Sequence, residues 1–297
     1  MKKIIILLLS ILVVSCEMEF DIRDADGRDR LMVTCVPYVH NDRINVKVSG
    51  VKSINAPIEP NCILTNLKVS LAVDGVEQQL FEDQSEETGY YFYAESELRA
   101  GQHLRVEAEA DGYVSAYAET VVPDNIQELD MTFNKKDGQD SRIEVTYPDD
   151  PESEDYYGIS VMHYVKIQGD YIPKFEYCDI SIVSNGFGES DCHKIKLDGK
   201  DVIFWKDDIE TLEGRQKMEI GVSFPFSGKA STVKYKVCLF KLSPEFYRYY
   251  KGKSDSMNND FVMSGFAAPT FTYTNVIGGM GILAAINGLE TDWFLYK

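Results

Sequence analysis

Alternation of apolar and polar residues is the dominant pattern after residue 29, and it predicts a series of short β-strands. The segments that carry it in the first half of the chain are 31–38, 43–53, 67–73, 76–81, 89–93, 104–108 and 113–122. Asp74-Gly75 separates two of them, and this dipeptide between apolar alternations is typical of a tight hairpin turn. Short strands at this spacing, with no helical pattern between them, predict an immunoglobulin-like β-sandwich over residues 30–123.

A second β-rich domain is predicted over residues 124–297, after a linker that begins at Pro123. Its strand-like segments are 130–133, 143–147, 156–167, 176–183, 192–197, 202–205, 218–224 and 232–241. Asn185-Gly186 favours a hairpin between the segments 176–183 and 192–197. The predicted fold class is therefore mainly β, with an N-terminal sandwich followed by a second β-rich domain.

One short helix is predicted near the C-terminus. Ser243 is a capping residue, Pro244 suits the first helical position, and Glu245 places an acid in the first turn. The aromatic residues at positions 246, 249 and 250 follow at helical spacing, and we expect them to pack in the core more than to form a ligand platform. Gly252 is expected to end the helix.

The N-terminus has the pattern of an export signal. Lys2 and Lys3 precede a short apolar run, and a small residue precedes Cys16, which predicts a signal peptide over residues 1–15. The residues Val13-Val14-Ser15-Cys16 resemble the lipobox of bacterial lipoproteins, and the resemblance implies that Cys16 is lipidated. Residues 16–29 are acidic and lack apolar periodicity, so we expect them to form a tether between lipid and domain.

The charge balance limits the partners of the chain. Removal of residues 1–15 takes away two lysines and changes the formal net charge from −18 to −20. Nucleic acid is therefore an unexpected partner, because its binding depends on cationic contacts to phosphate. Electrostatic adhesion to anionic lipid is disfavoured for the same reason.

Five of the six cysteines follow Cys16, and an exported chain can form disulfides. The hairpin expected around Asn185-Gly186 would place Cys178 and Cys192 opposite each other, so this pair is the predicted disulfide. Cross-strand β-carbons lie about 4.5–5.5 Å apart, close to what a disulfide needs. A register slip of one residue would prevent the bridge.

No catalytic motif stands out in the sequence. It contains neither His-Glu-x-x-His nor Gly-x-Ser-x-Gly, and Cys192 and His193 are neighbours that would point to opposite faces of a strand. The acidic loop 148–155 could gather calcium, but a solvated loop is the preferred interpretation. We therefore expect no enzymatic activity, no cofactor and no metal.

The C-terminal part carries a family resemblance. The Tyr-rich helix at 247–250, the Phe-x-x-Pro segment at 266–269 and the Asn-x-x-Gly-Gly-x-Gly motif at 275–282 resemble a Bacteroidota lipoprotein family, domain of unknown function 4249. The pattern over residues 101–123 is also similar to its N-terminal half. The chain departs from the family at Ala268, where an acid often precedes the proline. Gly278, Gly279 and Gly281 are interpreted as backbone-geometry positions, where a strand turns tightly against another backbone.

The resemblance implies a context more than a mechanism. Members of the family are outer-membrane lipoproteins commonly encoded beside TonB-dependent transporters. We therefore expect an accessory or substrate-binding partner of such a transporter in nutrient uptake, displayed on the cell surface. The acids at positions 17, 19 and 21 resemble a surface-export signal and support outward display. Two alternatives stay open, namely a structural or adhesin-type surface lipoprotein and a hydrolase with an unrecognised site.

Overall fold

The computed structural model describes residues 28–52, 63–83, 89–135, 141–150, 152–167, 174–184, 192–197, 199–207, 214–222, 230–257 and 273–295. Statements below refer to these residues. Several predicted features lie outside them, namely lipidated Cys16, most of the acidic tether, the Asn185-Gly186 turn and the Phe-x-x-Pro segment. None of the helices in the described ranges is sufficiently long and apolar to cross a membrane.

The N-terminal region is a sandwich of two sheets, as predicted. Its strands are β1 (Arg30–Cys35), β2 (Arg43–Val51), β3 (Lys68–Val73), β4 (Val76–Glu77), β5 (Phe81–Asp83), β6 (Tyr90–Glu95), β7 (His103–Glu109) and β8 (Ala116–Val121). One sheet has the order β4-β3-β7-β8, and the other contains β1-β2-β6-β5. Alternate residues of β1, β2 and β7 are buried, because side chains on a strand point to opposite faces and one face of each sheet meets the other.

The C-terminal region is a second pair of sheets around its own core. Its elements are β9 (Asp130–Lys135), β10 (Ser141–Pro148), β11 (Tyr156–Ile167), β12 (Lys174–Tyr177), β13 (Ile180–Ser184), β14 (Cys192–Leu197), β15 (Lys200–Lys206), β16 (Arg215–Val222), β17 (Ala230–Leu242), α1 (Pro244–Met257), β18 (Met280–Leu283), β19 (Ile286–Glu290) and β20 (Phe294–Leu295). A four-stranded sheet, β13-β16-β10-β9, faces a sheet of order β14-β15-β11-β17-β19, to which β12 and β20 are added.

The mainly β fold with a C-terminal helix is confirmed. Helix α1 starts at Pro244, directly after the predicted cap, but it continues through Gly252 to Met257. Ser254 is buried near its end, and α1 packs against β14, β15 and β18. Tertiary packing of this kind outweighs the modest helix-breaking tendency of one glycine.

The C-terminal strands divide between the two sandwiches, which differs from the predicted boundary at residue 123. Strand β18 pairs in parallel with β1 and completes an N-terminal sheet, whereas β19 pairs antiparallel with β17 in the C-terminal region. The sequence concealed this because a parallel partner can lie anywhere along the chain. Residues 280–290 are called the C-terminal strap below.

The hairpin predicted around Asn185-Gly186 is wrong. Strand β13 pairs with β16, whereas β14 pairs with β15 in the other sheet. The predicted 176–183 strand is also split, because β12 pairs with β11. Cys178 and Cys192 consequently do not face each other across a hairpin, and the predicted disulfide between them is not formed in the structure.

Candidate functional site

The C-terminal strap joins the two sandwiches, and its middle is buried throughout from residue 281 to residue 288. Ala284 N donates to Cys35 O at 3.0 Å, and Ile286 N donates to Pro37 O at 3.0 Å. On the other side, Ser243 N donates to Ala285 O at 3.0 Å. These bonds satisfy the backbone of the strap as it passes between the sandwiches, which buried peptide groups require.

The glycines of the strap and of the turn before it lie where another backbone comes too close for a side chain. A Cβ on Gly281 would lie 2.0 Å from Val33 O, and one on Gly278 would lie 2.2 Å from Ser115 O. Gly278 and Gly281 also have positive φ angles of 77° and 100°, which favour glycine. The predicted role of these glycines in backbone geometry is confirmed. Asn275 supports the same turn, since its amide donates to Leu283 O at 2.7 Å.

A cleft of about 680 Å³ lies beside the strap, where the β1–β2 loop faces the C-terminal sandwich. We call it the junction cleft. This volume is within the range of small-molecule sites, about 300–1,000 Å³. The residues that line it are Val36, Tyr38, His40, Asn41, Ser160, Tyr177, Leu197, Lys200, Val202, Cys238, Phe240, Leu242, Phe246, Ile286, Leu289 and Glu290.

The floor of the junction cleft changes from apolar to polar along β17. At one end Leu242 pairs with Ile286, and both are in an apolar cluster with Phe246 of α1. At the other end Cys238 pairs with Glu290 on one side and with Ser160 on the other. Residues two apart on a strand share a face, so the floor is apolar under the helix and polar away from it.

Two hydroxyl groups of the cleft are buried and make no hydrogen bond to an oxygen or nitrogen atom of the described residues, although one of them adjoins the thiol of Cys238, which is a weak partner. They are the Oγ of Ser160 and the Oη of Tyr38. Ser160 is 0% exposed. An unsatisfied buried hydroxyl costs on the order of 1–3 kcal/mol, and such groups are uncommon in folded proteins. The cleft therefore holds hydrogen-bonding capacity that the fold itself does not use.

One charged group of the cleft, Glu290, is in an ion pair, whereas another, Lys200, is not paired with a described carboxylate. Lys236 lies 2.8 Å from Glu290. Burial would raise the pKa of Glu290, but the hydrogen bond and charge of Lys236 outweigh it and hold that pKa below its ordinary value. Burial raises the pKa of Cys238 to about 12, so its thiol stays neutral. Lys200 lies over the ring of Tyr177 at 5.2 Å and forms no ion pair with a described carboxylate.

The β1–β2 loop forms the wall of the cleft opposite its floor. The ring of Tyr38 makes an edge contact with Phe240, and His40 Nε2 lies 2.6 Å from Gly288 O. A Cβ on Gly288 would lie 2.9 Å from the Tyr38 hydroxyl. Burial raises the pKa of Tyr38, and the nearby Glu290 carboxylate adds to the effect. Sequence reasoning missed Gly288, because a glycine without a turn pattern gives no signal of what packs on it.

The aromatic stripe of α1 packs in the core, as predicted, and one of its residues also reaches the junction cleft. Phe246 is fully buried and packs in the apolar cluster with Phe204 and Leu242, as predicted, and it also lines the cleft. The helix is attached to the N-terminal sandwich as well, since Thr120 Oγ1 donates to Glu245 at 2.8 Å.

The acidic loop 148–155 is predicted to be solvated, but in the structure part of it is buried and hydrogen-bonded. Asp149 is only 8% exposed, and it accepts a hydrogen bond from the Tyr157 hydroxyl at 2.8 Å and one from the Gln216 amide at 3.3 Å. Asp155 pairs with Lys241 at 2.7 Å. Across the described ranges no three His, Cys, Asp or Glu side chains are grouped to hold a metal ion.

A cysteine-histidine-acid constellation that the sequence did not reveal lies inside the C-terminal sandwich. His163 Nδ1 lies 3.1 Å from Cys178 Sγ, and its Nε2 lies 3.7 Å from Glu176. Burial raises the pKa of Cys178 to about 12, with a contribution from Glu176, and burial lowers the pKa of His163. A reactive cysteine needs a lowered pKa and access, and Cys178 is 1% exposed. This geometry suits packing more than nucleophilic catalysis.

These features define a class of protein, a pair of β-sandwiches joined by a buried strap with a ligand-sized cleft at the junction. The sequence matches the family model described as Domain of unknown function (DUF4249) over residues 16–291, and the chain belongs to that family. No curated protein matches the sequence significantly.

Similarity to solved structures is weak. One is described as the complete structure of manganese lipoxygenase of Gaeumannomyces graminis and partial structure of zonadhesin of Komagataella pastoris. It is similar over 71% of this chain and 88% of its own, with 12% identity and a TM-score of 0.21. A likeness at this level carries no argument about fold or function.

Proposed function

We propose that this protein is an outer-membrane lipoprotein that binds a small ligand in the junction cleft and serves a TonB-dependent transporter as an accessory, substrate-binding partner. It is anchored through a lipid on Cys16 and faces the cell exterior. Its role is the capture of a nutrient that the transporter carries inward.

The observation that supports ligand binding most strongly is the pair of unused hydroxyls in the junction cleft. The hydroxyls of Ser160 and Tyr38 are buried there without an oxygen or nitrogen partner in the described structure, in a cleft that is apolar at one end and polar at the other. An apolar pocket with a few convergent polar groups is the usual form of a small-molecule site. A cleft with no ligand would favour apolar residues at these positions, because burial of an unpaired hydroxyl is unfavourable.

The observations that support lipid anchoring come from the sequence. The small residue Ser15 precedes Cys16 after a short apolar run, and the match to the family model begins at residue 16. Attachment to a membrane raises the effective concentration of the protein near any membrane partner. The transporter as partner is suggested by the resemblance to the lipoprotein family.

The experiment is affinity isolation of the full chain from the native outer membrane after gentle detergent extraction. We expect a TonB-dependent barrel protein to co-purify with the wild-type chain. A Cys16→Ser variant should lose both the membrane fraction and the barrel, whereas Cys192→Ser, a matched cysteine change, should keep both. Isolation with adhesin components and without a barrel would replace the proposal with the structural alternative.

Display on the surface is tested by protease treatment of intact cells. We expect the wild-type chain to be degraded while a periplasmic marker survives. Full protection of the chain would contradict outward display, although it would leave ligand binding in the cleft unaffected.

A further inference from the structure

We infer that the junction cleft selects amphipathic acids, with the apolar body under helix α1 and the anionic group at the polar end of the floor. This inference rests on the proposed ligand binding and adds the chemical class of the ligand.

The apolar end of the cleft fits a hydrocarbon or aromatic body. Leu242, Ile286 and Phe246 form its floor and end wall, and they belong to one buried cluster. Val202 and Leu197 line the same cleft from β15 and β14. Transfer of an apolar body from water to this surface is favourable in proportion to the buried area, at roughly 25 cal/mol per Å².

The polar end fits a group that accepts hydrogen bonds. The hydroxyls of Ser160 and Tyr38 make no hydrogen bond to an oxygen or nitrogen atom of a described residue, and Ser160 has beside it only the neutral thiol of Cys238, a weak acceptor. A carboxylate is an acceptor-only group with several lone-pair sites. One carboxylate could therefore accept from both hydroxyls, which satisfies the two groups that the fold leaves unpaired.

The charge of the cleft favours an anion over a cation. Glu290 is already neutralised by Lys236 at 2.8 Å, whereas the Lys200 ammonium lies over the ring of Tyr177 and pairs with no carboxylate of the described residues. Because the rest of the chain has a large negative charge, an anion approaches against the general field, and Lys200 supplies the local attraction. A ligand amine would instead meet Lys200 as a like charge.

The test compares three probes with the same body and different head groups, namely octanoate, octanol and octylamine. The protein is the full mature chain with Cys16→Ser, so that no detergent is needed. A neutral dye, N-phenylnaphthylamine, reports occupancy of the cleft by fluorescence, and each probe is titrated as a competitor. We expect octanoate to displace the dye at a concentration about tenfold lower than octylamine, which corresponds to about 1.4 kcal/mol.

Two variants and one control test whether the selectivity arises in the cleft. Lys200→Met should remove the preference for octanoate, whereas Lys217→Met, the same charge change on β16, should retain it. Ser160→Ala should weaken octanoate binding and at the same time raise the melting temperature, because the unpaired hydroxyl is removed. A variant with a damaged fold would instead show weaker octanoate binding together with a lower melting temperature.

The outcomes separate the inference from the function on which it rests. If the dye binds and all three probes compete equally, or octylamine competes best, the acid selectivity is wrong and ligand binding stands. If neither the dye nor any probe binds, ligand binding in the cleft is wrong, and the selectivity is wrong with it.

Discussion

The two sandwiches bury different kinds of side chains, and the difference bears on where the proposed ligand site lies. The core of the N-terminal sandwich is almost wholly aliphatic, with residues such as Leu31, Leu71 and Leu104. The C-terminal sandwich buries large aromatic residues, including Trp205, and most of the buried polar groups. Burial of a polar group costs free energy unless the group is paired. We therefore expect the proposed function to lie in the C-terminal sandwich, where most of the buried polar groups are.

The sandwiches also differ in their share of the junction cleft. The C-terminal sandwich supplies the floor through β11, β15, β17 and β19, whereas the N-terminal sandwich contributes the loop that carries Tyr38 and His40. The N-terminal sandwich in turn depends on the C-terminal strap for strand β18. The N-terminal sandwich therefore holds one wall of the cleft against a floor that the C-terminal sandwich supplies.

The largest effect is expected from breaking the joint between the two sandwiches at Gly281. A Gly281→Val change places a Cβ 2.0 Å from Val33 O at a φ of 100°. We expect a loss of about 4 kcal/mol or more, enough to prevent stable folding. Urea unfolding followed by circular dichroism measures it. Gly75→Ala has a similar positive φ but open space around the Cβ, so a loss of only about 1 kcal/mol is expected. Equal losses would contradict the close approach of β18 to β1.

A smaller effect is expected from removing the polar network of the C-terminal sandwich. Gln216 is buried, accepts from the Tyr147 hydroxyl at 2.5 Å and donates to the Asp149 and Asp207 carboxylates. Gln216→Leu should cost about 3 kcal/mol, because buried acceptors lose their donor. Gln102→Leu in the N-terminal sandwich removes hydrogen bonds to Arg99 N and Asp74 that lie at the surface, where water can replace them, so it should change the urea midpoint less. A neutral Gln216→Leu would mean that water satisfies these carboxylates.

The acid sensitivity of the strap should depend on Glu290. Its folded pKa lies below the ordinary value of 4.5, so its pairing with Lys236 stabilises the folded state above that pH. The contribution is lost as the pH falls through the lowered folded pKa. The stability difference between wild type and Glu290→Gln should therefore be present at neutral pH and disappear in acid. Urea midpoints of both proteins across this pH range provide the measurement, and a constant difference would contradict it.

The smallest effects on stability are expected when either of two buried serines is replaced by alanine. Ser243 directly precedes α1, and its Oγ accepts from Ala285 N at 3.2 Å, so Ser243→Ala should lose about 1 kcal/mol because the buried N–H loses its acceptor. Ser160 lacks a partner in the described structure, so Ser160→Ala should gain roughly 1 kcal/mol. Thermal unfolding of both variants should show shifts of opposite sign. Shifts in the same direction would remove the basis for an unused hydroxyl in the cleft.

Much of the local structure could be predicted from the sequence alone. The period-two alternation gave the strands of the N-terminal sandwich, and Ser243-Pro244 gave the start of α1, because these patterns depend on residues a few positions apart. The glycine motif indicated close backbone approach for the same local reason. Charge, length and the chain's family resemblance likewise depend only on sequence.

The tertiary structure alone decided which strands pair and where the cleft lies. The partners of β13 and β18 are far away in the chain, β14 pairs with the strand that follows it, and the alternation within a strand does not show which of these it will do. The junction cleft combines the β1–β2 loop, β17 and the strap, which meet only after both sandwiches have formed. In the sequence Ser160 cannot be told apart from any other serine on a strand. Its hydroxyl is buried and poorly paired only because tertiary packing excludes water from it and places no oxygen or nitrogen partner of the described residues beside it.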